Sequence, residues 1–304
     1  GSNLVKKFIK SDYNVIAIDG ILERTGGKRN NLSQIKNNLT FIDKRVEDVS
    51  NMSELIQSAD LIICSMGWTS HIDSISDPFY DLELNTKSHI TLINILKNFP
   101  NKRVIYLGSR SQYGNQNLEI LNEDGLLSPS DVHGINKVAA EYYYKIYSAI
   151  FDFNVMSIRF PACFGRDQMA EGDDIGLIGL FIRDAIAEKE IEIFGEDRKR
   201  NFIYIDDLVE IIFKLSEKNI NGFLPLNVKG LSIKLTELAE KVIKYCGCGN
   251  FIEKRIPNKI RSIDIGNSQM SEDNLIKIIG PTKYTEFDIS IAKTIIYFRE
   301  RIDD

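Results

Sequence analysis

Two consecutive segments set the architecture of this chain: the apolar run Val104-Ile105-Tyr106-Leu107 and the polar run Gly108-Ser109-Arg110-Ser111-Gln112-Tyr113-Gly114. Four apolar residues bounded by turn residues are typical of a buried parallel strand. Open α/β sheets bind their ligands beyond the carboxyl ends of the strands. The hydroxyl of Ser109, which follows such an end, is therefore a candidate reacting group.

A helix is predicted directly downstream. The segment Asp131-Val132-His133-Gly134-Ile135-Asn136-Lys137 opens it and continues into a tyrosine-rich stretch at 142–147. His133 and Lys137 are four residues apart, so on a helix they share one face. A serine, an imidazole and an amine that converge at one sheet edge make a credible proton-transfer site.

The same alternation of apolar strands with amphipathic helices extends over most of the chain. It predicts one parallel sheet running through residues 15–18, 61–64 and 104–107, with helices on its faces. Near residue 166 the sequence becomes polar and glycine-rich. We therefore expect a main domain over residues 1–165 and a smaller lobe over 166–304, with residues 201–228 partly returning to the main sheet.

Composition narrows the range of partners. The chain has 304 residues, and its net charge of −5 argues against nucleic acid or an anionic membrane as a partner. No apolar run approaches the roughly 18 residues that a membrane span needs, and no signal peptide is recognised, so we expect a cytoplasmic protein. Cys246 and Cys248 could suggest a metal, but no histidine or second cysteine pair lies nearby, so none is predicted.

Four ordered segments resemble the extended short-chain dehydrogenase/reductases, which are NAD-dependent nucleotide-sugar epimerases and dehydratases. Their active site reads Ser/Thr and, about two dozen residues later, Tyr-x-x-x-Lys; here Ser109 precedes position 133 by 24 residues. Residues 159–165 and 200–207 resemble two further family segments. The resemblance implies a Rossmann-type, doubly wound parallel sheet with a smaller C-terminal substrate lobe, with NAD as cofactor and a nucleoside-diphosphate sugar as substrate.

The chain departs from the family at the position of the catalytic tyrosine, where it has His133. The resemblance assigns catalysis to Ser109, His133 and Lys137. Histidine has an unperturbed pKa of about 6.5 and needs no help to act as a base, but its shorter reach matters, because a misplacement near 1 Å can cost about a hundredfold. Two functions stay open: a nucleotide-sugar epimerase for surface polysaccharide synthesis, or a non-catalytic binding protein on the same fold.

NAD contacts follow from the resemblance. Gly1 is interpreted as the last glycine of the family's G-x-x-G-x-x-G loop. Weak NAD affinity is expected, because the rest of that loop is missing from this sequence. The alternative is that Gly1-Ser2 is a cloning remnant. Asp19 would accept a hydrogen bond from the ribose 2′-OH and so favour NAD over NADP. The alternative is that Asp19 is a solvent-exposed acid in a turn. Asp48 either faces the adenine or caps a helix. The assigned set is Gly1, Asp19, Asp48, Met66, Gly67 and Lys137.

Substrate contacts are assigned to Ser111, Arg200 and Arg261. Guanidinium binds phosphate bidentately, so Arg200 is the first candidate for the diphosphate, with a surface salt bridge as the alternative. Arg261 is a weaker second. Dehydratases of the family carry Asp and Glu where this chain has Arg110 and Ser111, which argues against 4,6-dehydration.

Two predicted helices, 79–98 and 134–149, match the family's homodimer interface, with Tyr142, Tyr143, Tyr144 and Tyr147 as its surface row. The alternative is ordinary packing within one chain. We interpret His71 as a loop residue and His89 as a helix-face residue. Trp68 is expected at the surface or at a contact between the lobes.

Overall fold

The computed structural model describes residues 1–35, 37–168, 176–195 and 197–302. The elements before residue 130 are α1 (Ser2–Lys10), β1 (Val15–Ile18), β2 (Leu39–Ile42), α2 (Met52–Ser58), β3 (Leu61–Cys64), α3 (Asp73–Ser76), α4 (Pro78–Leu82), α5 (Ser88–Leu96), β4 (Arg103–Leu107) and β5 (Ile120–Leu121). Those after it are α6 (Val132–Phe151), β6 (Asn154–Arg159), β7 (Ala162–Phe164), α7 (Gly176–Ile186), β8 (Glu190–Phe194), β9 (Lys199–Tyr204), α8 (Ile205–Ser216), β10 (Phe223–Asn227), β11 (Leu231–Lys234), α9 (Leu235–Cys246), β12 (Asn250–Lys254), α10 (Asn258–Ser262), β13 (Gln269–Met270), α11 (Asp273–Ile279) and α12 (Phe287–Ile302).

The main sheet is parallel and has the strand order β10-β6-β4-β3. Its register places Val104 beside Ile62 on one side and beside Val155 on the other. Central strands buried on both faces read as continuous apolar runs, which is the pattern of residues 104–107. The predicted Rossmann-type α/β fold is confirmed.

Strand β1 departs from the expectation of one continuous sheet. It pairs in parallel with β2, Val15 opposite Leu39, in a two-stranded ladder of its own. Both ladders nevertheless share the same cores, because Val15 and Ile63 pack into one apolar cluster and Ile18 and Ile62 into another.

Helices cover both faces of the sheet, as a doubly wound fold requires. On one face α1 packs against α8, with Phe8 and Ile212 in the shared core. On the other face α2, α5 and α6 bury Met52, Leu92 and Tyr144. Tyr144 is fully buried, so the expectation that it belongs to a surface row is wrong.

The C-terminal part builds a second core. Strands β7, β9 and β11 form a three-stranded sheet, and β8 pairs with β12. Helices α7, α9 and α12 close this core with Phe181, Val242 and Phe298. Within 201–228, strand β10 pairs with β6 of the main sheet. Part of the polar stretch after residue 166, namely 169–175, lies outside the described residues.

The predicted helix over 79–98 is interrupted. Helix α4 continues into a π-helical turn, Glu83–Lys87, before α5 begins. Such turns are rare and often mark functional sites. This one buries Asn85 completely and packs on α6 through the hydroxyl of Thr86, which donates to the Asn136 carbonyl at 3.0 Å. Within the described residues, no helix is long and apolar enough to cross a membrane.

Candidate functional site

The carboxyl edge of the sheet gathers several of the predicted residues. Strand β3 is followed by Ser65, Met66 and Gly67, and β4 is followed by Gly108 and Ser109. Helix α1 begins at this edge, since a Cβ on Gly1 would lie 3.2 Å from the Ser65 hydroxyl oxygen. These segments come from distant parts of the chain and meet because parallel strands end on one side.

Gly67 is held in a conformation that favours glycine. Its φ is +149°, and a Cβ there would lie 2.4 Å from Oδ1 of Asn85 and 3.1 Å from Nζ of Lys137. Asn85 donates from its amide nitrogen to the Trp68 carbonyl at 2.8 Å and to Asp81 at 3.0 Å. Its Oδ1 is buried without a partner among the described residues. A backbone segment without a side chain, at Gly67, and an acceptor without a hydrogen-bond partner, Oδ1 of Asn85, therefore lie side by side.

Lys137 is a buried cation with few partners. Its ammonium donates to the Leu107 carbonyl at 3.3 Å and lies 5.5 Å from the ring of Tyr106. Burial lowers its pKa to about 8, against the opposing field of Asp81. An ammonium carries three donors. It can therefore bind further oxygen groups at this edge.

His133 lies one turn before Lys137 on α6 and is buried, with only 5% of its side chain exposed. Burial lowers its pKa to about 4; nearby His71 and Lys137 act in the same direction, and Asp81 acts against them. The imidazole is therefore neutral near pH 7.

The tautomer of His133 follows from its neighbours. Nδ1 lies 3.5 Å from the Asn85 amide nitrogen, whose two protons are already donated elsewhere, and 3.8 Å from Oδ2 of Asp81. Asp81 is fully buried and also accepts from Asn136 at 2.7 Å. Among the described residues, the acceptor recorded near Nδ1 is thus the Asp81 carboxylate, which favours the proton on Nδ1 and leaves Nε2 as the basic nitrogen. Asp81, which Asn85 and Asn136 hold by hydrogen bonds, orients the predicted base.

The serine loop is built on a capping box. The Ser109 hydroxyl accepts from the Ser111 amide at 3.1 Å and from the Ser111 hydroxyl at 2.9 Å. Gln112 accepts from the Ser109 amide at 2.7 Å and donates to Glu141 of α6 at 2.8 Å. Glu141 also accepts from Arg159, in a pair in which both side chains are buried. This network fixes the loop to the helix that carries His133. Ser111 is 2% exposed, and its hydroxyl contacts that of Ser109.

His71 lies next to His133, which the sequence did not reveal. The two rings meet edge to face with centroids 4.7 Å apart. Nδ1 of His71 lies 2.6 Å from Oδ2 of Asp131, and the other carboxylate oxygen accepts from the amide of Gly134 at 2.6 Å. His71, which the sequence analysis interpreted only as a loop residue, therefore lies in the candidate site.

Arg200 is already engaged. It donates to Asp264 at 2.7 Å and to the carbonyls of Lys199 and Gly266. Arg198 binds the same carboxylate at 2.6 Å. Arg110, next to Ser109, donates to the carbonyls of Ile265 and Ser268 at 2.9 Å each, and its pKa is lowered to about 10 by burial and by Arg200. Two guanidinium groups thus share the carboxylate of Asp264, and a third, that of Arg110, lies within reach of their charges beside the serine loop. Arg261 is exposed on α10.

The remaining predicted contacts have simpler surroundings. Asp19 is exposed at the carboxyl end of β1 and accepts from the amide of Ile21 at 2.8 Å. Asp48 is exposed as well, and the N-cap residue of α2 is Asn51, with no side-chain cap hydrogen bond, so Asp48 does not cap the helix. Trp68 is 1% exposed and packs edge to face on Tyr80 at 4.9 Å, so the surface expectation is wrong.

Sequence reasoning missed Asp81, Asn85, Asp131 and His71 as site residues. One signal was present, because Asp81 and Asn85 are four residues apart on a helix and face the core. Polar residues on a buried helix face need hydrogen-bond partners. His89 is also buried, beside the Tyr144 hydroxyl at 3.1 Å, and burial lowers its pKa to about 3.

A comparison with protein-family models identifies the family of this chain. The family model described as NAD dependent epimerase/dehydratase family matches residues 1–227. The chain belongs to this family.

Relatives of the epimerase/dehydratase family match along almost the whole chain. The UDP-glucose 4-epimerase of Mycolicibacterium smegmatis is 22% identical and covers 99% of this chain and 96% of its own length. The solved UDP-glucose 4-epimerase of Thermotoga maritima, with UDP-glucose, has a TM-score of 0.88 at 21% identity and covers 99% of this chain and 96% of that chain. The UDP-glucuronic acid 4-epimerase of Bacillus cereus, with UDP-glucuronic acid and NAD, has a TM-score of 0.87 at 19% identity with the same coverage.

NAD is the cofactor of the epimerase/dehydratase family, and the carboxyl edge fits it. The backbone at Gly67 has no room for a Cβ, because Oδ1 of Asn85 and Nζ of Lys137 lie close against it. The ammonium of Lys137 and the orphaned Oδ1 of Asn85 supply a donor and an acceptor for hydroxyl or amide groups. Asp19 offers an exposed carboxylate at the end of β1, where a ribose hydroxyl could donate.

Proposed function

We propose that this protein is an NAD-dependent nucleotide-sugar epimerase in which His133 replaces the family's tyrosine as the base. It would act in the cytoplasm in surface polysaccharide synthesis. One observation carries the proposal: a neutral imidazole, oriented by Asp81, lies one helical turn from Lys137. Bound NAD would supply the acceptor and donor of a hydride.

The residues of this chain would handle the proton. Nε2 of His133 would accept it from a sugar hydroxyl, and the resulting positive ring would lie 3.8 Å from Asp81. A nearby carboxylate favours the charged imidazole and offsets part of the cost of burial. Ser109 would hold the reacting oxygen, with Ser111 holding the serine hydroxyl, and Lys137 would bind hydroxyl groups of the cofactor.

The arginine cluster supports an anionic diphosphate as part of the substrate. Arg198 and Arg200 share the carboxylate of Asp264, and Arg110 lies within the field of Arg200 and Asp264, so positive charge exceeds negative charge among these four residues. The cluster borders the serine loop because Arg110 follows Ser109 directly. Arg261 would add a second, outer contact. The relatives named above are epimerases of UDP-glucose or UDP-glucuronic acid, so UDP-hexoses are the first substrates to test.

The test is conversion of UDP-glucose or UDP-glucuronic acid into the 4-epimer with NAD, followed by NMR. His133→Ala is expected to abolish turnover, and His133→Tyr to shift the acid limb of the pH profile. Arg200→Ala is expected to weaken UDP binding by about 1.5–3 kcal/mol in calorimetry. An unchanged dissociation constant would return Arg200 to the role of a structural ion pair.

The second candidate function is non-catalytic binding of a nucleotide sugar. It is favoured by the burial of His133, which lowers its pKa to about 4, because a base works best when its pKa lies near the working pH. An inactive wild type that gains turnover through His133→Tyr would establish this second function instead.

A further inference from the structure

His71 and His133 form a pair with one buried and one accessible member. Their rings meet edge to face, with centroids 4.7 Å apart and an interplanar angle of 70°. The side chain of His71 is 44% exposed, whereas that of His133 is 5% exposed. Of the two rings in contact, His71 is therefore the one that solvent reaches.

Asp131 fixes His71 to the helix that carries His133. One carboxylate oxygen accepts from the amide of Gly134 in the first turn of α6, and the other lies 2.6 Å from Nδ1 of His71. The chain around His71 is fixed as well, because Ser74 donates to the His71 carbonyl at 3.0 Å. The pair is thus a built arrangement with a defined orientation of both rings.

The four groups lie in the order Asp131, His71, His133, Asp81, with a carboxylate beside each imidazole. A proton on either ring therefore has a neighbouring negative charge. The two ends are unequal, since the Lys137 ammonium disfavours a proton on His133. Asp73 of α3, two residues after His71 in the chain, accepts from the Ser70 hydroxyl at 3.0 Å. The positive charge of Lys137 therefore favours a proton on His71 over one on His133.

We propose that His71 is the proton-exchange partner of His133, held in place by Asp131, and that the buried imidazole gains and loses protons through it. One proton passes from the His133 imidazolium to the neutral His71 ring and then to water, and the reverse path restores it. His71 is a positioning residue in this scheme, because it acts through His133. Its part in turnover rests on the proposed epimerase function, whereas the coupling of the two rings does not.

The coupling is tested on the whole chain by NMR titration of the imidazole nitrogens. The chain has three histidines, so His71→Phe, His89→Gln and His133→Gln assign the signals. In His71→Phe the titration of His133 is expected to move upward, by up to about one pH unit, because His71, once protonated, disfavours a second positive charge beside it. An unmoved His133 titration in His71→Phe would overturn the proposal.

Asp131→Asn is the matched variant. An asparagine still caps a helix, so α6 stays intact while the carboxylate beside His71 is lost. The titration of His71 is then expected to move downward and the Nδ1–H signal to exchange faster with water. A His71 signal identical to that of the wild type would contradict the role given to Asp131.

Turnover provides the second readout. His71→Phe is expected to lower kcat at least tenfold with KM little changed, and added imidazole buffer is expected to restore part of it. Wild-type kcat and pH profile in His71→Phe would overturn the exchange role. Absence of turnover in every form would overturn the proposed epimerase function, and the NMR titration would then decide the coupling by itself.

Discussion

At the scale of single residues, His133 links the site to stability. Burial lowers its pKa to about 4 in the folded protein, against about 6.5 when unfolded. The unfolded chain binds the proton more tightly, so stability is fully present above pH 6.5 and is lost as the pH falls toward 4. We expect His133 to account for about 3 kcal/mol of that loss.

Urea unfolding between pH 4 and 7 measures this loss. His133→Gln is the control and should flatten the dependence, although the buried His89 adds a contribution of the same sign. A wild type and a His133→Gln variant with parallel stability profiles would contradict the assignment.

Lys137 is a second residue that we expect to serve function at a cost in folding stability. Its ammonium is buried, with the Leu107 carbonyl at 3.3 Å as its hydrogen-bond acceptor, and a buried charge with few partners is costly. Replacing it with an apolar side chain of similar length, Lys137→Met, is expected to raise the free energy of unfolding by about 1 kcal/mol or more. Turnover and NAD binding should be lost together. A less stable Lys137→Met would show that the ammonium supports the fold.

At the scale of elements, the turn after β3 and the π turn before α5 are shaped to each other. Gly67 has φ +149°, and its missing Cβ leaves room for Oδ1 of Asn85. Gly67→Ala is expected to cost about 1–3 kcal/mol of stability through backbone strain, and more because Asn85 must move. Displacing Asn85 should also loosen His133 and reduce turnover.

Gly247 is the matched control for that substitution. It ends α9 with φ +69° and has open space where a Cβ would be. Gly247→Ala should therefore show a strain cost alone, of about 1 kcal/mol, with turnover unchanged. Equal losses of stability at the two glycines, measured by chemical denaturation, would speak against the contact with Asn85.

At the scale of the whole molecule, one face of α6 is apolar and exposed. Tyr142, Tyr143, Ile146 and Ile150 are between 38% and 62% exposed, and we propose a homodimer through this helix and helices over 79–98. Ile146→Asp with Ile150→Asp is expected to give a monomer in light scattering. The melting temperature of that monomer should stay near the wild-type value unless the dimer itself stabilises the fold. An unchanged oligomeric state would move the interface elsewhere.

The sequence by itself predicted the order of strands and helices and the position of the candidate reacting groups along it. Apolar runs such as 104–107 predict buried strands because burial on both faces selects continuous hydrophobicity. The spacing of His133 and Lys137 predicts a shared helix face because the helical repeat is a local property. Local periodicity also predicted Ser109 at a strand end, where parallel strands bring their carboxyl ends together.

Only the tertiary structure decided what surrounds those groups. Asp81 and His71 come from segments far from His133 in sequence, and no local period encodes which distant side chains will meet. Burial and charged neighbours determine the pKa of His133, and both are properties of the packed molecule. The engagement of Arg200 with Asp264 has the same origin. Residue types and their spacing thus predicted the chemistry, while packing between distant elements determined its protonation and orientation.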